Sequence, residues 1–469
     1  MSQVTVRNTS IFSSIREAIL GDTHRDFTSE PIGRAIALLA IPMVLEMMME
    51  SLFAVVDMFW VAHLGADAVA TVGFTEALLT LIYTVALGLS IATAATVARR
   101  IGEKNPQAAS ETAAQGILLG AGIALVIGIG GGVFAPQLLA LMGASPDVIK
   151  IGSGYARAIY GGSGTVLLLF LINAVFRGAG DAALAMRVLW TANLINIVLN
   201  PLLIFGIGPF PKLGVAGSGI GTTVGRSVGV LLQLWMLTRS RSRVVVHARE
   251  FRFRPALMWN LLRLSLGGML QYFVGTSSWI LLIRMTAPFG SVVIAGYTLM
   301  LRIIMFALLP SWGMANAAAT LVGQNLGAKK PARAEQAVWR AGFYNMILLG
   351  LVALVFITFA HQLVGIFTSD QEVAKVAASA LRIISVGYIF YAWGMVAIQA
   401  FNGAGDTLTP TLINLFCFWA CQLPIAWWLA FHTGMRSNGI FAAITISQSL
   451  IAVIGVLAFR RGTWKLQKI

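Results

Sequence analysis

The chain has 469 residues, of which 58% are apolar and only 11% charged. Soluble domains carry roughly 25% charged residues, so this composition cannot furnish a water-exposed surface and excludes a soluble domain. The expected class is an all-α polytopic membrane protein, and the formal charge of +15 has to be explained within it.

Residues 1–34 carry Arg7, Arg16, Glu17, Asp22, Arg25, Asp26 and Glu30 without an apolar run, so no cleavable signal is read there. Uncharged stretches such as Gly116–Gln137 and Ile383–Asn402 exceed the roughly 18 residues of a spanning helix. The pattern predicts spans near 35–62, 68–98, 110–134, 148–175, 187–206 and 214–237. A second set follows near 258–284, 292–322, 335–359, 374–401, 409–431 and 438–458. The expected units are an N-terminal segment (1–34), an N-lobe (35–238), a basic linker (239–257), a C-lobe (258–458) and a tail (459–469).

Of the 33 Lys and Arg, 23 fall in alternate loops on one side of this arrangement, six of them in RSRSRVVVHAREFRFR (239–254). The positive-inside rule puts that side and both termini in the cytoplasm. The charge is thus a topology signal, and no nucleic-acid partner is expected; the partners are the lipid bilayer and a small molecule. Cys417 and Cys421 stand four apart with no His or second Cys pair, a spacing that favours packing over a disulfide or a metal site.

Shifting the sequence by 225 residues exposes an internal repeat. GLSIATAATVARRIGEKNPQAA (88–109) falls on GMANAAATLVGQNLGAKKPARA (313–334) with eight identities, and FRGAGD (176–181) falls on FNGAGD (401–406) with five. Each half holds six spans, an even number, so the halves enter the membrane in the same orientation, as parallel repeats with a site near the midplane. Gly217, Gly221, Gly225 and Gly229 recur every four residues and predict a close packing seam on the sixth span. Pro42, Pro310 and Pro424 fall inside spans, where each removes a backbone donor and permits a bend.

Ionisable groups inside a bilayer are costly and mark function. Glu46, Glu50 and Asp57 lie on the first predicted span and Glu76 on the second; at the 225-residue shift their partners are Gln271, Gly275, Leu282 and Leu301. Only the first lobe therefore holds interior carboxylates, which places ion coupling there. Burial of Asp57 would disfavour its charged form, and such a group can load a proton or ligate a cation; the structural alternative is an ion pair with Arg302 or Arg284. Glu46 and Glu50 share a helix face at i, i+4 and would either bind a cationic substrate or line a cavity, with Gln271 as the C-lobe counterpart of Glu46. Arg226, Arg263 and Arg302 are read as counter-ions or anchors. The five histidines (His24, His63, His247, His361, His432) form no cluster, and Trp60, Trp312, Trp427 and Trp428 are read as interfacial belts. No GxxxxGK[ST], HExxH or GxSxG is present, so no enzymatic role is expected.

Across roughly residues 30–460 the chain resembles the multidrug and toxic compound extrusion (MATE) transporters. The resemblance rests on LLAIPMVLE (38–46), VVDMFWVAHLG (55–65), ARRIGEKNP (98–106), FRGAGD (176–181), NIVLNPLLIFG (196–206), LGVAGSGIGT (213–222), LVGQNLGAKKP (321–331) and FNGAGDTLTPT (401–411). It implies two six-helix lobes around a cleft that work by alternating access, exchanging substrate for protons or sodium. By position it makes Asp57 the N-lobe ion-coupling acid, joined by Asn196, Asn200 and Thr222, and Pro42 the hinge of the first span. Asn200 stands where some members have a second aspartate. The absence of acids in the seventh and tenth spans resembles the N-lobe-coupled, DNA-damage-inducible-like branch. The expected function is a cation-coupled antiporter exporting small amphipathic, often cationic, compounds. Protons are favoured and sodium is possible at Asp57, Asn196, Asn200 and Thr222; no cofactor is expected. The expected form is a monomer in a plasma membrane, the bacterial inner membrane in particular. The competing readings are a lipid-linked precursor flippase and a non-transporting membrane protein.

Overall fold

The computed structural model describes residues 11–21, 25–239, 242–467 and 469; Arg7, Asp22, His24, Arg241 and Lys468 lie outside the described residues. Among these, eleven helices are long and apolar enough to cross a bilayer, and a bent pair makes a twelfth span. The first six are Ile32–Ala62, Ala66–Gly102, Pro106–Val133, Pro146–Ala179, Ala182–Phe205 and Val215–Thr238. The last six are Pro255–Phe289, Ser291–Gly327, Pro331–Gly365, the pair Gln371–Ser385 with Tyr388–Ala404, Leu408–His432 and Ser437–Arg460. Every predicted span has its helix. The second and eighth have 37 residues each, about 55 Å at 1.5 Å per residue, so both project beyond a hydrocarbon core of about 30 Å.

The duplication read from sequence recurs in the local backbone. Lys104 and Lys329, 225 residues apart, both adopt positive φ (58° and 57°) just before the helices opened by Pro106 and Pro331. Gly180 and Gly405 close the matched FRGAGD and FNGAGD helices in the left-handed region, at φ 90° and 85°, a conformation glycine takes without penalty. The fourth span breaks at Gly162 and the tenth at Gly387, again 225 apart. The bend in the tenth is 60°. A Cβ on Gly387 would come within 2.9 Å of Thr445, and one on Gly162 would collide with Thr223.

Small residues set the packing. A Cβ on Gly217 would lie 2.6 Å from the Leu203 backbone, and one on Gly225 would lie 2.7 Å from the Ala192 carbonyl, so the glycine ladder seats the sixth span on the fifth. Between the lobes, a Cβ on Gly313 would lie 2.7 Å from the Met43 backbone and one on Gly88 would lie 2.7 Å from the Met269 nitrogen, approaches related by the repeat. At one end of the bundle Gly102 abuts the Gln324 backbone and Gly327 abuts the Arg99 backbone, a second reciprocal pair. At that end Lys330 also donates to the Thr28 carbonyl at 2.9 Å, and Arg100 to the Ile469 carbonyl at 3.1 Å. Trp464 in the tail is fully buried, its ring 4.6 Å from Phe459. At the opposite end a Cβ on Gly65, Gly73 or Gly290 would meet nothing within 4 Å among the described residues.

Pro42, Pro201 and Pro310 sit inside unbroken helices. Pro424 follows a π-helical stretch, Leu415–Gln422; a wider turn ahead of a residue lacking an N–H is one way a helix absorbs it.

Candidate functional site

Asp57 is 8% exposed on the first span, where the fifth and sixth spans pack against it. Its Oδ1 accepts hydrogen bonds from the Asn200 amide and, at 2.8 Å, from the Ser218 hydroxyl. One turn away, the Asn196 amide donates to the Thr222 hydroxyl at 2.8 Å. Asp57, Asn196, Asn200 and Thr222 thus occupy one buried polar patch, and the Oδ1 atoms of both asparagines lack a hydrogen-bond partner. The glycine ladder makes this patch possible, since Gly221 presses on the Asn200 side chain and Gly225 on Asn196. Arg284 and Arg302, the alternative partners, are exposed, and no ion pair to Asp57 occurs among the described residues. Ser218 was missed by sequence reasoning; it lies within LGVAGSGIGT, between two glycines that looked purely structural.

The two glutamates are already counterbalanced. Glu46 is 1% exposed and pairs with Arg177 at 2.8 Å, while Asn173 donates to the same carboxylate oxygen at 3.1 Å. Gln233 holds Asn173 in turn, at 2.7 Å. A buried charge is tolerable only when paired and hydrogen-bonded; this set supplies both at Oε1, while Oε2 is buried without a hydrogen-bond partner. Glu50 accepts from Asn193 at 3.1 Å and faces Arg226 at 3.9 Å; Arg226 donates to the Tyr83 hydroxyl at 2.9 Å and lies over the Phe53 ring. The counter-ion reading of Arg226 therefore holds for Glu50, whereas Arg263 and Arg302 are exposed. Arg177 was overlooked in the sequence, although the single mismatch between FRGAGD and FNGAGD marks it.

A central cavity of about 270 Å³ lies between the lobes, with Glu50, Tyr83 and Arg177 on one wall and Tyr272, Trp312 and Gln399 on the other. Of the predicted cavity residues only Glu50 lines it. Glu46 is withdrawn behind Arg177, Glu76 is exposed and unpaired among the described residues, and Gln271 lines a neighbouring C-lobe cavity. Trp312 corrects the belt reading. It stands in the middle of the 37-residue eighth span, where it faces the Tyr272 ring at 5.7 Å; a belt explains the half-exposed Trp427 and Trp428 better. Both cysteines are free, and the described residues hold no group of three His, Cys, Asp or Glu able to bind a metal.

The MatE family model matches the chain twice, over residues 42–202 and 268–428. The chain belongs to the MATE family of transporters. It is 25% identical over 445 residues to the probable multidrug resistance protein YoeA of Bacillus subtilis, covering 93% of this chain and 95% of that one. A MATE transporter solved in complex with MaL6 superposes with a TM-score of 0.88 at 26% identity, covering 94% of this chain and 99% of the other. An outward-facing multidrug resistance MATE transporter of the MOP superfamily gives 0.87 at 26% identity, covering 94% and 98%. Membership accounts for the duplicated six-span halves and for the absence of enzymatic motifs, because a MATE protein moves its substrate without transforming it.

Proposed function

We propose that this MATE protein is a proton-coupled antiporter that exports small amphipathic cations, with Asp57 as the coupling group. The observation that carries the proposal is the contrast among the three acids of the first span. Glu46 and Glu50 each have an arginine within 4.0 Å, whereas Asp57 has only neutral donors. A buried carboxylate without a cationic partner is the one whose charge is most costly and whose protonation is most readily exchanged. Both of its donors address Oδ1, which leaves Oδ2 to take the proton. Ser218 and Asn200 hold the carboxylate in place, and Asn196 and Thr222 complete the polar wall. Resemblance to the N-lobe-coupled branch supports this reading, since the seventh span has no acid and the tenth has only Glu372 in its first turn.

In the transport cycle the central cavity receives the substrate, with Glu50 as the acidic wall and Trp312 and Tyr272 as aromatic ones. The reciprocal contacts Gly102–Gln324 and Gly327–Arg99 seal the basic end, which the positive-inside rule assigns to the cytoplasm. Pro42 lies one residue from the Met43 contact with Gly313, so a bend there would shift the inter-lobe seam together with Asp57.

Sodium is the second reading, favoured by one observation. The unpartnered Oδ1 atoms of Asn196 and Asn200, with Asp57 and Thr222, offer the oxygen ligands a hard cation takes. Proteoliposomes separate the two. An imposed pH difference should drive ethidium movement with sodium absent on both sides; movement only under a sodium gradient would overturn proton coupling.

A further inference from the structure

The C-lobe holds a cavity of about 270 Å³ beside the central one, and Tyr272, Trp312 and Gln399 line both, so the two adjoin. Among the described residues no charged side chain lines it. Its walls are aromatic: Tyr272, Trp279, Trp312, Tyr391 and Phe418. Between them stand amides, including Gln271 and Gln448, which are 8% and 7% exposed.

Those amides occupy the repeat positions of the N-lobe charges. At the 225-residue shift, Gln271 replaces Glu46 and Asn402 replaces Arg177. In the twelfth span the register moves by three residues. Thr445 meets Gly387 as Thr223 meets Gly162, and Gly439 rests on Leu429 as Gly217 rests on Leu203. That places Gln448 opposite Arg226. An ion pair and a second arginine in one lobe are therefore three carboxamides in the other. One of them, Gln271, carries a buried oxygen without a partner, Oε1, on the wall of this cavity, while Asn402, whose Oδ1 is also unpartnered, lines the adjoining central cavity. Buried polar atoms are nearly always hydrogen-bonded, so an orphaned oxygen on a cavity wall points to a ligand that supplies the donor.

We infer that the C-lobe cavity is a second binding chamber, selective for uncharged planar heteroaromatic compounds with hydrogen-bond donors and acceptors at their rim. The ring would stack on Trp279, Trp312 and their neighbours. Carboxamides suit such a rim because each offers both a donor and an acceptor. A cation would find no carboxylate on these walls, in contrast to Glu50 in the central cavity, so an uncharged ring is favoured here. The inference rests on the chain being a transporter only for its physiological meaning; the binding it asserts is tested directly.

Riboflavin is a suitable probe, being uncharged over its ring, with an imide edge and a fluorescence that stacking on aromatic side chains quenches. The purified full chain in detergent should quench riboflavin saturably. Trp279→Leu and Gln448→Leu, neither of which lines the central cavity, should each raise the dissociation constant about ten-fold, or roughly 1.4 kcal/mol, through loss of a stacking contact in one and of a rim hydrogen bond in the other. Ethidium binding by the same two variants should stay at the parent value, which also shows that they fold. Gln271→Glu, which restores the N-lobe residue, should weaken riboflavin to a similar degree. Absence of saturable quenching, riboflavin affinity unchanged from the parent in both leucine variants, or full displacement of riboflavin by ethidium would overturn the chamber. Failure of ethidium alone to bind would instead count against the cation-export reading and leave this one standing.

Discussion

The two lobes repeat one backbone and differ in what it carries. Breaks at Gly162 and Gly387, left-handed caps at Gly180 and Gly405, and positive φ at Lys104 and Lys329 recur at a single spacing. Yet where the N-lobe buries Glu46 against Arg177 at 2.8 Å, the C-lobe has Gln271 and Asn402. The aspartates of the matched motifs diverge as well. Asp406 caps its own helix through Thr409 at 3.0 Å, while Asp181 accepts from Ser242 and the Arg243 nitrogen at 2.7 Å and so anchors the linker. The duplicated scaffold repeats the breaks and caps in both lobes, while the buried Glu46–Arg177 pair belongs to the N-lobe copy.

The comparison breaks first at Asp57. Asp57→Asn should abolish gradient-driven ethidium efflux from cells while membrane abundance stays near the parent level. Efflux at the parent rate, with abundance checked by immunoblot, would make the carboxylate peripheral and remove the functional difference between the lobes.

The ion pair gives the next largest effect. Removing one partner of a buried pair costs about 3–5 kcal/mol, so Glu46→Gln and Arg177→Asn should each lower the melting temperature in detergent. The double variant copies the C-lobe amides and should recover much of the loss; simple additivity would mean that the two residues do not stabilise one another. Gln271→Leu should impair efflux less than Glu46→Gln, and equal losses would undo the argument from acid distribution.

The smallest effect is expected where the lobes are most alike. Gly102→Ala and Gly327→Ala each force a methyl group against a backbone in the sealed end. Overpacking costs about 1–3 kcal/mol, and both should lower thermal stability to a similar extent. A large loss at one position and none at the other would show that the seal is carried by a single lobe.

Fold and duplication were legible because both are written in local signals: apolar run length, the Pro106 and Pro331 helix starts, and glycines at one spacing. Asp57 was legible as an acid in an apolar run, and Asn196, Asn200 and Thr222 only through the family likeness. Pairing was not legible, because Glu46 and Arg177 are 131 residues apart and no period links them. For the same reason Glu46 was expected on the cavity wall when Arg177 covers it. Trp312 was read as a belt residue by its type, although it lies inside the predicted 292–322 span as it does inside the Ser291–Gly327 helix.

Proton release on substrate binding tests the central claim most directly. Ethidium added to the purified chain in weakly buffered detergent, with a pH indicator and no sodium, should release about one proton per ethidium bound if binding displaces a proton from a single carboxylate. Asp57→Asn should bind ethidium without release, and Gln271→Leu should release as the parent does. Undiminished release from Asp57→Asn would contradict the assignment of coupling to the charged lobe.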